Sequence, residues 1–492
     1  MKFLQRISLL YLVIPFVIFL FGWVRLMVAI PVTAILLVAL WQIFKQPLFD
    51  ADLPNDRSTN HLLLITFLWV FLSGIGGYAF QNWDHNWRNV VFRDLINSDW
   101  PVYFSTPDKG PVKMLVYYVG YWLPAALTGK LFGWRFANSI LFIWSWIGVL
   151  LVSLQFGSAL KTSAVKSILL LIFFSGLDAL GTLFFAGEYP TLLPPITHLE
   201  IWAGNLQYSS FTSQLFWVFN QAIPAWLCVL LIADEDSPIA NKIFAYSLCF
   251  FFAPLASIGL LPYLALQFLR QTDFKSLFKN LRLDILAAAV IVFLLSVLYF
   301  ASNTAAQQRG FHSLPIAEFL PFFLLEGGVL WLVLAPLKWR DPRWAVTGLL
   351  LFFIPFIQLG SGRDFVMRAS IAPLFYLMLM TGEALFNKFT PRLLLMTVYC
   401  LLLLGSLTPL YEIDRSVYRS FQYYFLNEDC ACGVEQMEEV DHLQPPGAPE
   451  DIHPGMLTAD GIPTLRFMND ELSKNFIANV RQSFFYRYLA RH

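Results

Sequence analysis

Residues 283–301 read LDILAAAVIVFLLSVLYFA, a run in which Asp284 is the one charged side chain and no glycine or proline intervenes. A helix of about 20 apolar residues crosses a hydrocarbon core roughly 30 Å thick. Such runs recur along the chain, which is 57% hydrophobic and 13% charged, whereas soluble domains carry about a quarter charged residues. Because backbone groups in lipid must bond within their own segment, the runs predict transmembrane helices.

The apolar runs place spans near residues 7–22, 26–44, 61–80, 137–156, 165–184, 213–232, 283–301, 316–337, 344–359, 369–386 and 393–411. The stretch 242–270 contains Pro254 and Pro262 and reads either as one kinked span or as two short ones. Two short spans keep the basic cluster around Arg270 and Arg282 on the side that holds the other basic loops. We therefore expect an all-α polytopic membrane protein with about 11–13 transmembrane helices.

Positive charge also predicts the orientation. Cytoplasmic loops are enriched in Lys and Arg, which places the N-terminus in the cytoplasm and the C-terminus outside, and we read the membrane as a bacterial inner (plasma) membrane. Reading 112–132 as a span would put Lys161 and Lys166 on the wrong side, so residues 81–136 become one long extracytoplasmic loop with two interfacial helices. The expected organisation is a transmembrane domain over 1–411 and a small extracytoplasmic region over 412–492.

The formal net charge is zero, so no nucleic-acid partner is expected, and the five cysteines form no disulfide or zinc framework. The membrane lipids are the expected surroundings. No cofactor is indicated by the sequence, although a divalent metal is left open.

The loop at 81–102 carries the chemistry. It begins QNWDHNWRN, with Asp84 at the outer end of a span and Arg88 and Arg93 on the helix that follows. A carboxylate there can take a proton from an acceptor hydroxyl, and the arginines can hold a phosphate leaving group. The alternative is that Asp84 caps the helix and Arg93 pairs with neighbouring acids. His85 reads as an orienting group rather than a base.

The order of elements in this loop resembles the first periplasmic loop of GT-C glycosyltransferases, nearest the aminoarabinose-transferase and protein-O-mannosyltransferase branch. Asp84 opens the loop, Ser98-Asp99-Trp100 fills the place of a GDW turn, and Lys109-Gly110-Pro111 that of a KPP turn. Residues 130–133 (KLFG) and Arg135 follow. The likeness covers about 75 residues, and it departs from the family pattern at His85, where a second acid is usual, at Gly110, which replaces a proline, and in an Asp-to-Arg spacing longer by about one residue.

The resemblance implies a GT-C-like fold, and a donor sugar carried on a polyprenyl phosphate and bound between the spans and the loop. Lys109 would lie at the edge of that cavity. Residues 360–368 (GSGRDFVMR) sit at headgroup level, where Arg363 and Arg368 can grip phosphate oxygens. The alternative is that both arginines extend to lipid headgroups without binding the donor.

Further candidate lining residues come from two other regions. The 185–212 loop offers Glu188, His198 and Glu200, which suit a sugar or a polar acceptor, or alternatively a packed re-entrant loop. His198 and Glu200 alone are too few ligands for a metal site. Glu326 lies inside an apolar run, where an ionisable group by default faces a cavity or a partner.

The sequence thus predicts a glycosyltransferase that moves a sugar from a polyprenyl-phosphate donor to a glycan, lipid or protein acceptor on the extracytoplasmic side. Asp84 would be the catalytic residue. Two alternatives remain open: a polysaccharide polymerase or ligase that uses lipid-linked glycans, and a non-enzymatic transporter or flippase. The early position of the long loop argues against the first alternative, and the absence of an inverted repeat argues against the second.

Overall fold

The computed structural model describes residues 3–46, 59–104, 113–193, 195, 198–204, 206–270, 282–303, 309–360, 364–422, 475–479 and 483–491. Its helices are α1 (Phe3–Trp23), α2 (Leu26–Lys45), α3 (Thr59–Leu72), α4 (Trp83–Asn97), α5 (Leu123–Phe132), α6 (Trp134–Ala159), α7 (Ala164–Phe173), α8 (Asp178–Gly181), α9 (Phe211–Ala233), α10 (Ile239–Phe252), α11 (Pro254–Arg270), α12 (Leu283–Phe300), α13 (Ile316–Phe323), α14 (Val329–Val333), α15 (Ala335–Lys338), α16 (Pro342–Phe353), α17 (Asp364–Ala369), α18 (Ile371–Phe386), α19 (Arg392–Gly405) and α20 (Leu407–Phe421).

The protein is an all-α polytopic membrane protein. Within the described residues, nine helical stretches are long and apolar enough to cross a membrane: Phe3–Trp23, Leu26–Lys45, Trp134–Ala159, Ala164–Ala186, Phe211–Ala233, Leu283–Phe300, Ile316–Val333, Asp364–Phe386 and Arg392–Phe421. Three apolar helical stretches are shorter, over Thr59–Leu72, Ile239–Phe252 and Pro342–Phe356. The core is one continuous apolar cluster that runs through the bundle.

The stretch 242–270 forms two helices rather than one kinked span. The chain reverses at Ala253, between α10 and α11. Lys242, near the start of α10, donates from Nζ to Oε1 of Gln267, near the end of α11, at 2.9 Å. The two helices therefore run antiparallel, and their far ends lie on the same side of the bundle.

Polar contacts join the helix ends on that side, which we call the far face. Gln5 donates to Asp234 at 2.8 Å, and Asn241 donates to Gln46 at 2.9 Å. Arg270 reaches Asp341 at 3.3 Å. The ends of α1, α2, α9, α10 and α11 thus meet the segment before α16 at one end of the bundle, while the orientation of that end across the membrane stays a prediction.

The opposite end, which we call the site face, carries α4, α5 and short strands. Strand β1 (Tyr103–Phe104) pairs antiparallel with β2 (Lys113–Leu115), and β2 pairs antiparallel with β5 (Ile477–Asn479). A second sheet joins β3 (Arg309–Phe311) to β4 (Ile357–Leu359). The 112–132 segment is helical only in its second part, because its first residues extend as β2 and Pro124 lies in the first turn of α5.

Two predicted spans end differently from the expectation. The span near 61–80 is helical only to Leu72, because Gly74, Gly76 and Gly77 adopt positive φ angles and turn the chain. The span near 393–411 continues through α19 and α20 to Phe421.

Candidate functional site

The turn after α3 sets the starting point of α4. Gly74 has a φ of +80°, and a Cβ atom there would lie 2.4 Å from the Phe80 carbonyl oxygen, so the chain folds back tightly only with glycine. The Gln81 side chain closes the turn by donating to the Gly74 carbonyl at 2.9 Å, and Asn89 donates to Gln81 at 2.9 Å. These contacts fix α4 rigidly against the end of α3.

A kink in α9 holds the first turn of α4. Val218 has non-helical angles (φ −136°, ψ 33°), which removes the regular helical geometry near the Phe216 carbonyl. That carbonyl accepts hydrogen bonds from Asn82 Nδ2 at 2.9 Å and from His85 Nε2 at 3.0 Å. Nε2 of His85 therefore carries the proton. Burial, followed by the nearby Arg88 charge, lowers the pKa of His85 to about 3, so the ring is neutral and acts as a brace.

Asp84 and Arg88 form an ion pair one helical turn apart. Arg88 Nη2 donates to Asp84 Oδ2 at 2.8 Å. The Asp84 side chain is 27% exposed and that of Arg88 only 5%. The helix cap position belongs to Asn82, and Asp84 lies inside the first turn. Asp84 thus presents its carboxylate to the surface while it holds one edge of a buried guanidinium.

A second pair on α17 repeats this arrangement. Arg368 Nη2 donates to Asp364 Oδ1 at 2.9 Å, again at a spacing of four residues. The Arg368 side chain is 7% exposed and that of Asp364 is 35% exposed. The protein therefore displays the pattern Asp-x-x-x-Arg twice, from helices that lie far apart in the sequence.

Tyr117 is within electrostatic range of both pairs. Its side chain is buried, which raises the pKa of the hydroxyl. The charges of Arg368 and Arg88 lower that pKa, while those of Asp364 and Asp84 raise it, so both pairs act on the same hydroxyl. Asp84 and Arg88 from the first loop and Arg368 from the late loop thus all lie within electrostatic range of Tyr117, while their shared role in binding stays a prediction.

Both arginines keep unused donors. Among the described residues, Nε and Nη1 of Arg88 have no hydrogen-bond partner, and the same is true of Nε and Nη1 of Arg368. The indole Nε1 of Trp87, next to Arg88 on α4, is likewise buried without a partner in the described part of the chain. Phe219 on α9 lies 5.9 Å from the Arg88 guanidinium carbon. The site is rich in donors that are hidden from water and unmatched.

The C-terminal segment supplies a wall of this site. Phe476 stacks on Trp87 with ring centroids 5.9 Å apart and planes 7° apart, and its ring lies 4.5 Å from that of Tyr117. Val116 N–H donates to the Phe476 carbonyl at 2.8 Å, directly before β5 joins β2. Nothing in the sequence of the tail indicated this contact, since β5 is short and separated from β2 by most of the chain.

The Arg93 side chain does not join Arg88 and Asp84. Its guanidinium lies over the Trp134 ring at 4.2 Å, and its side chain is fully buried. Arg88 and Arg93 are five residues apart on α4, so they project from different sides of the helix. Of the two arginines proposed for phosphate contact in this helix, Arg88 is the one grouped with Asp84 and Tyr117.

His198 belongs to a second polar cluster. Its Nδ1 lies 2.7 Å from Oε1 of Glu412 on α20, and its ring stacks on Trp217 at 5.0 Å. Trp217 Nε1 donates to Glu412 at 3.2 Å, and Arg415 approaches the same carboxylate at 4.0 Å. Burial opposes the charged form of His198, but the Glu412 carboxylate outweighs it and raises the pKa of the ring.

Glu200 and Glu326 lie close to this cluster and are locked by hydrogen bonds. Glu200 accepts from Gln207 at 2.9 Å and from the Ser210 backbone N–H at 2.9 Å, and burial raises its pKa to about 7. Glu326 accepts from Trp202 Nε1 at 2.7 Å and interacts with Asp178. Within the described chain, no group of three or more His, Cys, Asp or Glu side chains is arranged to hold a metal ion.

The remaining predicted residues stand apart. Glu188 is exposed and follows Gly187, which ends the helical stretch with a positive φ. Lys109 and Arg363 lie outside the described residues, so their predicted roles stay predictions. Sequence reasoning missed Tyr117 and Asp364. The spacing of Asp364 to Arg368, identical to that of the first pair, was a usable signal.

Comparisons with protein-family models, with curated proteins and with solved structures found no match for this chain.

Proposed function

We propose that this protein is an inverting GT-C-type glycosyltransferase that moves a sugar from a polyprenyl-phosphate donor to a glycan, lipid or protein acceptor. In this proposal the site face is extracytoplasmic and residues 81–136 form the catalytic loop. The observation that carries it is that the buried Arg88 and Arg368, whose charges both act on Tyr117, each keep two donors without a partner among the described residues. A buried donor without a partner costs about 1–3 kcal/mol. An oxygen-rich anion bound between Arg88 and Arg368 would remove that cost.

Phosphate on a lipid fits this environment better than a soluble anion. Guanidinium groups form strong charge-assisted hydrogen bonds with phosphate oxygens. Arg368 sits at the start of a helical stretch, Asp364–Phe386, that is apolar enough to cross the membrane. A phosphate attached to a prenyl chain would reach the membrane end near Arg368 directly from the bilayer. A soluble anion has no apolar part that would bring it to this position.

The chemistry follows from the position of Asp84. The acceptor hydroxyl attacks the anomeric carbon of the sugar, and the carbon–oxygen bond to phosphate breaks with its electron pair on the leaving oxygen. Asp84, which is partly exposed, takes the hydroxyl proton. Arg88 and Arg368 stabilise the charge that develops on the phosphate. Arg88 uses only Nη2 to bind Asp84, so its other nitrogens can donate to the phosphate. One guanidinium can thus hold the catalytic base, Asp84, next to the leaving phosphate.

The other positions keep subordinate places in the proposal. Lys109 and Arg363 add positive charge near the donor phosphate. Trp87 offers an unpartnered indole N–H beside the arginines, in the described part of the chain, and it can bond a sugar or phosphate oxygen.

A transfer assay tests the proposal. Purified protein in liposomes is given a panel of radiolabelled polyprenyl-phosphate hexoses and pentoses, with membrane extract as acceptor. Asp84→Asn should lower transfer by about 10²–10⁴-fold, while Asp284→Asn, on the far face, should leave it unchanged. Full transfer by Asp84→Asn at normal expression would remove this residue from the mechanism and overturn the proposal.

The same assay separates the alternatives. Incorporation only from sugars on a diphosphate carrier, with growth of a polymer, would indicate a polymerase or ligase. Movement of label across the vesicle without exchange of a covalent bond would indicate a transporter or flippase.

A further inference from the structure

A groove on the site face lies outside the cluster around Tyr117. Its volume is about 730 Å³, and it runs between the end of α1, the turn at Trp100 and α5. Pockets of about 300–1,000 Å³ suit ligands the size of small organic molecules. The groove shares no lining residue with the Asp84, Arg88, Tyr117 and Arg368 group.

The floor of the groove depends on a glycine. A Cβ atom at Gly22 would lie 2.7 Å from Cε3 of Trp100, so the indole ring can rest against α1 only because that position has no side chain. Trp100 Nε1 donates to the Leu95 carbonyl at 2.7 Å, which satisfies the polar end of the ring. The ring therefore presents apolar surface to the groove.

The groove opens toward the lipid. Val17, Ile18 and Phe21 line it from α1, which is one of the membrane-spanning helices. On the other side, α5 exposes Leu131 at 74% and Phe132 at 66% of their side-chain surface. An amphipathic helix with such an exposed apolar edge is typical of the membrane interface. An acyl chain can thus lie along α1 without leaving the bilayer.

The rim of the groove is net positive. Among the described residues that line it, Lys130 and Arg491 are the cations and Asp99 is the acid. Lys130 Nζ lies over the Trp100 ring at 5.0 Å and donates to the Ser98 carbonyl and, at 3.4 Å, to the Ile96 carbonyl, which holds the ammonium group at the groove wall. Arg491 is exposed, and its backbone N–H is anchored to the Trp23 carbonyl at 2.8 Å. Two cations against one carboxylate favour an anionic headgroup.

We propose that this groove binds one anionic glycerophospholipid, with an acyl chain along α1 and the phosphate at Lys130 and Arg491. The lipid covers the joint between α1, α5 and the C-terminal segment. This inference does not depend on the proposed transferase activity, because its residues and its ligand are different.

Native mass spectrometry of the full-length protein tests the assignment. The protein is titrated in detergent with phosphatidylglycerol or with phosphatidylcholine. The complexes are then released from the micelles in the spectrometer, and the fraction of protein with bound lipid is measured. Phosphatidylglycerol should bind roughly tenfold more tightly than phosphatidylcholine, since two basic side chains near an anionic lipid each contribute to the preference. The double variant Lys130→Gln/Arg491→Gln should abolish that preference. Arg487→Gln, which alters an exposed arginine on the same segment, should keep it.

A second variant tests the apolar part. Leu127 lines the groove and is 42% exposed, so Leu127→Trp should narrow the groove without disturbing the core. The variant should bind both lipids more weakly, and by a similar factor. Equal binding of the two lipids to the unaltered protein would overturn the assignment. So would displacement of the lipid by inorganic phosphate alone, or a preference for a prenyl phosphate over phosphatidylglycerol.

Discussion

Arg343 on the far face and Arg88 on the site face are both largely buried, but they are satisfied in different ways. Arg343 donates from Nε to Asp341 at 2.8 Å and from Nη1 to Glu383 at 3.0 Å, while Nη2 contacts both acids. Within the described part of the chain, Arg88 makes one side-chain hydrogen bond, to Asp84, although its side chain is only 5% exposed against 17% for Arg343. Arg368 follows the pattern of Arg88.

The difference separates two uses of a buried cation. A guanidinium that holds a structure together is matched by carboxylates at every nitrogen, because an unmatched charge in the interior is costly. For Arg88 and Arg368, whose remaining donors have no partner among the described residues, the proposed function assigns that place to the donor phosphate. Removing Arg343 should therefore damage stability, and removing Arg88 should damage binding.

The largest expected effect is on activity. Arg88→Gln should lower sugar transfer by about 10²–10³-fold, equivalent to roughly 3–4 kcal/mol of transition-state stabilisation. Its unfolding temperature should change less than that of Arg343→Gln, because Arg88 makes a single side-chain hydrogen bond to the described residues. Arg343→Gln, measured in parallel, should show the reverse. Equal losses of activity in two equally folded variants would break the comparison.

The next effect is on stability. Glu383 accepts from both Arg343 and Lys338, so Glu383→Gln withdraws the negative charge that two cations share. Hydrogen bonds to charged groups contribute about 1.5–3 kcal/mol each, and we expect a loss of about 2–3 kcal/mol in the free energy of unfolding. Denaturant titration in detergent measures it, with Arg88→Gln as the matched control. An unchanged midpoint would show that the far-face network is not a structural clamp.

The pH dependence of the unfolding free energy should reveal the neutral His85, which is the residue after Asp84 on α4. The pKa of His85 is about 3 in the folded protein and near 6.5 in an unfolded chain, so the unfolded state binds the extra proton as the pH falls below 6.5. Stability from this group is complete above pH 6.5 and is lost as the pH falls toward 3. Between pH 6.5 and 5 the loss should be about 2 kcal/mol.

The control for this effect is His85→Gln, which can still donate to the Phe216 carbonyl. Glu200 gives the opposite pH dependence, because its pKa is raised in the folded protein. Its contribution to stability is lost as the pH rises from about 4.5 to about 7. Subtracting the variant's pH profile from that of the unaltered protein isolates His85. Parallel profiles would mean that the pKa of His85 is the same in the folded and unfolded states.

The smallest effect sharpens the comparison directly. A short prenyl monophosphate at ten times its dissociation constant should stabilise the protein by about 1.4 kcal/mol. The double variant Arg88→Gln/Arg368→Gln should lose this stabilisation, and Glu383→Gln should retain it. Thermal unfolding with and without the ligand measures the shift. Stabilisation that persists in the double variant would place the anion elsewhere.

The sequence predicted the membrane helices well, because apolar length is a local property of each segment. It also predicted the antiparallel pair α10 and α11, since only a reversal near Ala253 keeps Arg270 and Arg282 with the other basic loops. It placed Asp84 and Arg88 on one helix, as the structure shows, while the binding role that it gave to Arg368 stays a prediction.

The rest of the site was beyond sequence patterns. Tyr117 sits in an aromatic stretch that reads as an interfacial helix, and its place within electrostatic range of two ion pairs depends on the fold of the whole bundle. Phe476 reaches the site through a three-residue strand, too short to leave a periodic signal. The kink at Val218 presents the Phe216 carbonyl to α4, and a valine at that position does not by itself predict a kink.

The position of β5 has a consequence for how the protein is made. Phe476 fills the space between Trp87 and Tyr117, and β5 is the last strand that a ribosome would deliver to the sheet. A nascent chain with all its membrane helices inserted would still lack this wall. The aromatic wall beside Trp87 and Tyr117 therefore forms only after the described membrane helices have been made, because β5 follows them in the sequence.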